Sequence, residues 1–506
     1  MSRFPVHPLF FAGFPALALW SANRTEVTWG DVWPVLGVTL ATATVLTLLS
    51  AVALKDMRRG AIVASHLAVL LLTFGTVWSS PWVAGVLVTT GIIVAVVFLA
   101  IRVTDEAAST WSVALNVIGL VLVLVNGVPP MLGSSTRTLV ALDDDARPIT
   151  VADDAPDIVW IIPDRYGRQD ALEELFGFDN SPFLEGLEER GFTVLDEALA
   201  NYNKTAHSMA STLNLEYLDE LAAAVPDDQS GDWGPLYAML TDHEVGRVLT
   251  AAGYEYIHIG NWWDPTATAA AADLVLNWDD SSEFAQVFRD GTIWPALGGL
   301  VGDDQVDTRT RIRNHTLYGF DQLDRLAAHD SDRPRFILAH LTIPHEPYVF
   351  AADGSFVTAA QARQRSRAVN VSEQVRYANH RLERIVDRFL DRPPGEHPVI
   401  IIQADEGTHP PNYEIDQGGY DWFAAPDVEL AEKLRILSAW YVPEHVDVSP
   451  WPSMTPINTF RLLLDEIVGT SLGPLEDRVV IFRDASHLYE FRDVTDRMRA
   501  YRPPSG

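Results

Sequence analysis

Asp164 ends an apolar run of β-branched residues, Ile158 to Pro163, that reads as a buried strand. Thr205 closes the stretch Asn201-Tyr-Asn-Lys-Thr205 and begins what reads as the first turn of a helix. Free N–H groups and the helix dipole favour an anion there. A carboxylate and a hydroxyl at such positions suit a metal-activated threonine nucleophile. The plainer alternative is that Asp164 only ends a strand and Thr205 only caps a helix. Two further clusters have the same form. The run Arg335 to His340 leads into Pro344-His345-Glu346-Pro347-Tyr348, where flanking prolines stiffen the backbone around a candidate general acid or phosphate ligand, His345. The run Pro398 to Gln403 ends in Ala404-Asp405-Glu406-Gly407, two adjacent carboxylates at a strand end. Lys204, one of only three lysines, adjoins Thr205 and is a candidate phosphate contact. Lys433 is a candidate for approaching a substrate anion, the alternative being a surface position.

The elements that would position these residues follow a βα alternation. Strands are expected at Ile158 to Pro163, Phe192 to Leu195, Tyr254 to Ile259, Arg335 to His340, Pro398 to Gln403 and Ile436 to Val442. Helices are expected after Asn180-Ser181-Pro182, near 241–252, and over 371–391, where His380 sits among polar residues. In open α/β sheets ligands bind off the carboxyl ends of strands. Asp164, His345, Asp405 and Glu406 all fall there by spacing. Residues 261–332 have no clear period. Their tryptophans Trp262, Trp263, Trp278 and Trp294 suit either a cleft lining or ordinary packing.

The stretches PDIVWIIPDRYGR (156–168), FDNSPFLEGLEERGF (178–192) and NYNKTAHSMASTLN (201–214) resemble the alkaline-phosphatase/sulfatase-like superfamily. Within it they resemble the membrane-anchored branch of lipoteichoic acid synthases and phosphoethanolamine transferases. The segment from His340 to Tyr348 is similar to the superfamily pattern His-x4-His-x-Pro-Tyr, which implies substrate contact by His345 and a supporting role near the substrate for His340. The resemblance places the superfamily's Asp-His-Gly metal motif on Asp405 and Glu406, with Glu where His is usual. It implies a metal set of Asp164, Thr205, Asp405 and Glu406. Such an all-oxygen set favours Mg²⁺, Mn²⁺ or Ca²⁺ over Zn²⁺. His409 is close enough in sequence to restore a nitrogen ligand. The start of Ser453-Met-Thr-Pro456 and the apolar run after it resemble the closing helix of the same branch.

Composition divides the chain. The net charge is −31 overall, yet residues 1–133 hold six basic and five acidic residues, leaving 31 basic and 63 acidic beyond them. An acidic domain repels phosphate backbones, so a nucleic-acid partner is excluded. Apolar runs at 4–21, 34–54, 61–80, 82–101 and 111–132 approach the ~20 residues of a membrane-spanning helix. Lys55, Arg58, Arg59, Arg3 and Arg102 place the N-terminus on the cytoplasmic side and everything after Gly133 outside. The expected domains are a transmembrane domain of about five spans over 1–133, a linker over 134–156, and an extracytoplasmic α/β domain over 157–506 with a mixed sheet flanked by helices. There are no cysteines, hence no disulfide, thiolate site or cysteine nucleophile.

The expected activity is metal-dependent hydrolysis or transfer of a phosphate ester through Thr205, with His345 assisting. The lipid bilayer and a lipid-linked or envelope-polymer substrate are the expected partners. Sulfate-ester hydrolysis is the first alternative, and Thr205-Ala-His-Ser-Met is not the Cys/Ser-x-Pro-x-Arg motif of formylglycine sulfatases. The second is a non-catalytic envelope protein that keeps the fold.

Overall fold

The structure is a computed structural model that describes residues 4–78, 82–132, 155–279, 281–301 and 308–502. It divides into two compact units, one of residues 1–136 and 281–308, the other of residues 137–280 and 309–506. Most of the expected linker, 134–156, lies outside the described residues.

In the helical unit the apolar runs fold as His7–Ala22, Trp29–Leu54, Met57–Leu72, Trp82–Arg102 and Asp105–Leu132. Among the described residues three helices are long and apolar enough to cross a membrane, Trp29–Leu54, Ala84–Arg102 and Asp105–Gly127, against about five expected. The other two runs give helices of 16 residues each. Asp56 caps the second of these by accepting from the Arg59 N–H, and the helix ends at Thr73, whose hydroxyl donates back to the Val69 carbonyl.

The second unit is built on a seven-stranded sheet in the order β2-β7-β6-β1-β5-β3-β4. The strands are β1 (Ile158–Pro163), β2 (Thr193–Val194), β3 (Glu255–Ile259), β4 (Leu274–Leu276), β5 (Arg335–Leu341), β6 (Val399–Gln403) and β7 (Ser438–Tyr441). β1 runs parallel to both of its neighbours, β5 and β6, and β7 is antiparallel to β6 and β2, so the sheet is mixed. Every residue of β1, β5 and β6 is buried, as expected of strands covered on both faces. The expected helix over 371–391 is Arg367–Leu390, capped by Ser366, and the helix after Asn180 is Ser181–Glu189. The region without a clear period contains a 20-residue helix, Thr308–Ala327, whose core face carries Ile312, Phe320 and Leu323 among several polar residues.

Candidate metal centre

β1 lies between β5 and β6, and the register pairs Ile162 with His340 and Ile161 with Ile402. The carboxyl ends of three adjacent strands therefore open at one place. Asp164 follows β1, and its N–H donates to Leu341 O at 2.9 Å. His340 is on β5, and Asp405 comes two residues after β6. One ligand atom from each of Asp164, His340 and Asp405 lies within 4.8 Å of the others, and all three residues are buried.

The environment of His340 fixes its orientation. Asn261 Oδ1 accepts from the Trp263 N–H at 2.8 Å, and Asn261 Nδ2 donates to His340 O at 2.9 Å. The Thr266 hydroxyl donates to Oδ1 at 3.3 Å and lies 2.9 Å from His340 Nδ1, as does Asn261 Nδ2. These contacts anchor Nδ1 and aim Nε2 at Asp164 Oδ2, 3.7 Å away. Anchoring the second ring nitrogen in this way is how metal-ligating histidines are held. His340 Nε2, Asp164 Oδ1 and Asp405 Oδ2 are buried without a hydrogen-bond partner among the described residues. Three converging buried residues, each with an unpartnered side-chain atom, fit a divalent cation, because those atoms would otherwise bear an uncompensated desolvation cost.

Burial pushes the Asp405 carboxyl up, and Asp164 and Glu406 add to the shift, to about 7. Burial also opposes ionisation of Asp164, but His345, His340 and Arg165 outweigh it and hold that carboxyl at about 2. Thr205 lies beside Asp405, close enough for its side chain to lower that carboxyl's pKa. It is the first residue of the helix Thr205–Asn214, every residue of which is buried. The loop before it is held by Asn201, which accepts from the Ile457 N–H at 2.7 Å, and by Ala200 N–H donating to Leu434 O at 2.8 Å.

Glu406 adjoins this group and has cationic partners of its own. Its Oε1 is 2.6 Å from Lys433 Nζ, 3.3 Å from Arg165 Nε and 3.3 Å from His409 Nε2. Burial raises the Glu406 pKa, but Lys433, Lys204 and Arg165 outweigh it and keep the group ionised. Burial is also the main force on Lys433, which is lowered to about 7 with Arg165 and Lys204 contributing. Lys433 is fully buried, which distinguishes it from a surface lysine. Gly407 permits the close approach: its N–H donates to Lys433 O at 2.7 Å, and a Cβ there would come within 2.1 Å of Glu432 O. The trio that can share one ion thus contains His340, which the motif comparison had placed in a supporting role, while Glu406 faces Lys433. His409 points at Glu406 and is not among the three.

His345 Nε2 is 3.9 Å from Asp164 Oδ2, beside the trio. Burial lowers its pKa, and Arg165 adds to the effect. Gln374 on the helix Arg367–Leu390 holds this loop at four points, donating to Pro344 O and His345 O and accepting from Val349 and Phe350 N–H groups. Nothing in the local sequence marked Gln374, because its partners lie 24 to 30 residues away. Arg165 also escaped notice. Its φ of 63° is unusual for a side chain other than glycine, and its guanidinium bridges Glu346 and Glu406. Lys204 Nζ meets the Tyr413 hydroxyl at 3.1 Å. The Trp262 and Trp263 rings stand edge-on to His345 and His340, at 6.0 and 6.1 Å between centroids. Trp278 packs on His315 instead.

Comparison with known proteins gives a match to the family described as Sulfatase over residues 156–428, more than half of the chain. No curated protein matches. Among solved structures, the C-terminal periplasmic domain of EptC from Escherichia coli is 13% identical, covering 69% of this chain and 96% of that one, with a TM-score of 0.43. The soluble domain of lipooligosaccharide phosphoethanolamine transferase A from Neisseria meningitidis is 11% identical, covering 63% and 92%, with a TM-score of 0.38. The putative sulfatase yidJ from Bacteroides fragilis is 12% identical, covering 67% and 83%, with a TM-score of 0.38. Likenesses at this level carry no argument about activity.

Proposed function

The chain belongs to the sulfatase family, and from that premise we propose that it is a membrane-anchored hydrolase or transferase of phosphate esters with Thr205 as its nucleophile. The observation that carries the reading is the convergence of Asp164, His340 and Asp405, with the Thr205 side chain beside the last of them. A divalent cation held by these three would lend positive charge to the phosphoryl oxygens and ease ionisation of the attacking hydroxyl. With an imidazole nitrogen among the donors, Zn²⁺ and Mn²⁺ suit the set as well as Mg²⁺ does, and Ca²⁺ suits it less.

The residues divide the work as follows. Thr205 Oγ forms the new bond to phosphorus as the bond to the ester oxygen breaks. A cation held by Asp164, His340 and Asp405 would lower the pKa of this hydroxyl, whose proton passes to solvent before the attack. His345 gives a proton to the departing oxygen. Lys204 and the free N–H groups at the start of the helix Thr205–Asn214 receive the remaining phosphoryl oxygens. The phospho-threonine then passes to water in a hydrolase, or to an alcohol in a transferase. Lys433, committed to Glu406, acts on the electrostatics of the site rather than on substrate. The apolar helices support a membrane anchor, and the basic residues at 55–59 and 102 support an extracytoplasmic α/β unit. A lipid-linked donor suits such an arrangement.

The second reading, sulfate-ester hydrolysis, has the family's description in its favour and threonine at the nucleophile position against it. Full-length protein in detergent, loaded with Mn²⁺ or Zn²⁺, would be assayed on p-nitrophenyl phosphate, bis-p-nitrophenyl phosphate and p-nitrophenyl sulfate. Turnover of a phosphate substrate is expected. Turnover of the sulfate alone would establish the second reading, and no turnover with any metal would leave a non-catalytic envelope protein.

A further inference from the structure

Residues 281–301 lie between β4 and β5 in sequence, yet they fold with the N-terminal helices. Two backbone hydrogen bonds fasten them there, Ile293 N–H to Leu71 O and Gly75 N–H to Gly291 O, both 2.8 Å. Gly75 is needed at the crossing, since a Cβ would come within 2.2 Å of Asp290 O. From the helix Glu283–Asp290, Phe284 is buried with Trp20, Val32 and Val35.

These anchors share one end of the helical unit. His7–Ala22 ends there, Trp29–Leu54 begins there, and Met57–Leu72 ends there. Lys55, Arg58 and Arg59 lie at the opposite end, where Arg59 pairs with Asp105 at 2.9 Å. At the anchored end Trp29 and Trp33 are exposed, and the added segment exposes Val287, Trp294 and Leu297. The flank of Trp29–Leu54 also exposes Val38, Val45 and Leu49. Tryptophans at one helix end, beside an apolar flank and opposite a basic end, mark a membrane–water boundary. Short helices with exposed large apolar residues at that level lie in the boundary instead of crossing it.

We propose that residues 281–301 lie in the headgroup region of the bilayer, on the side away from Arg58 and Arg59, with Val287, Trp294 and Leu297 seated against the acyl chains. A segment from the middle of the chain thereby returns to the membrane, giving the protein a second point of attachment. This rests on the reading of the helical unit as membrane-spanning.

The chain has no cysteine, so single cysteines can be placed in the full-length protein without background. Leu297→Cys and Val287→Cys would each be labelled with NBD and reconstituted in phosphatidylcholine/phosphatidylglycerol nanodiscs carrying doxyl-labelled lipid. Reference labels would sit at Val94→Cys, exposed on Trp82–Arg102, and at Ile415→Cys, exposed in the other unit. The labels at 287 and 297 are expected to lose most of their emission to shallow doxyl groups, the label at 94 to deep ones, and the label at 415 to neither. Quenching at 94 without quenching at 287 and 297 would overturn the interfacial placement alone. Absence of quenching at 94 would overturn the membrane reading beneath it.

Discussion

Lys433 Nζ lies 2.6 Å from Glu406 Oε1, and neither side chain is reached by solvent. Asp405 and Glu406 are adjacent in sequence, but the chain leaving β6 sends their carboxylates to different partners. Asp405 joins Asp164 and His340, while Glu406 closes an ion pair with a lysine 27 residues further on. A family position that carries histidine in the motif thus holds a glutamate with its own counter-charge.

Lys433→Met should destabilise the folded chain by about 3–5 kcal/mol, because it leaves Glu406 buried beside fewer cations. The double variant Lys433→Met/Glu406→Gln should recover much of that loss. Thermal unfolding of the four-member cycle in detergent checks it. Additive losses would mean the pair is not coupled as its geometry implies.

Thr205→Ala should reduce phosphate-ester turnover by ~10³-fold or more while leaving the fold and bound metal intact. Activity, circular dichroism and metal analysis of one preparation decide this. A variant that remains active would remove Thr205 from the reaction.

His340→Ala and Asp405→Asn should each lower metal occupancy strongly. Thr266→Val, which removes the hydroxyl 2.9 Å from His340 Nδ1, should weaken metal affinity by about 10-fold without loss of fold. Atomic-emission analysis after equilibrium dialysis provides the readout. Unchanged affinity in Thr266→Val would mean that the Thr266 contact does not orient His340 toward a metal.

Asp405, at about 7 in the folded chain, lies above the unfolded carboxylate value. Its contribution to the stability of the metal-free protein is therefore fully present below about pH 4 and lost as pH rises through about 7. Asp164 is shifted the other way, so its contribution is lost only as pH falls through about 2. Cation binding competes with the Asp405 proton, so Mn²⁺ affinity should be about 30-fold weaker at about pH 5.5 than at about pH 8. Glu414, also raised to about 7, faces Glu346 and Arg367 and should not enter this comparison. Calorimetric titration of the metal-free full chain at the two values measures the difference. Equal affinities would contradict the raised Asp405.

By itself the sequence determined where the strands stop. A run such as Ile158 to Pro163 can only be buried, and the charged residue after it can only mark the sheet's edge, so Asp164 and Asp405 were legible as strand-end carboxylates. The apolar helices were legible for the same reason, since length and composition are local properties. Only the tertiary structure decided which side chains share a site. His340 joins the carboxylates because β1–β5 register sets Ile162 beside it and because Asn261 and Thr266, more than 70 residues earlier, orient its ring. Glu406 turns to Lys433 because Gly407 lets two loops from distant parts of the chain touch. Residues 281–301 pack with helices more than 200 residues upstream through contacts that no local period announces. Local patterning fixes the direction and burial of an element. The pairing of elements fixes which polar atoms converge, and that information is spread over residues far apart in the chain.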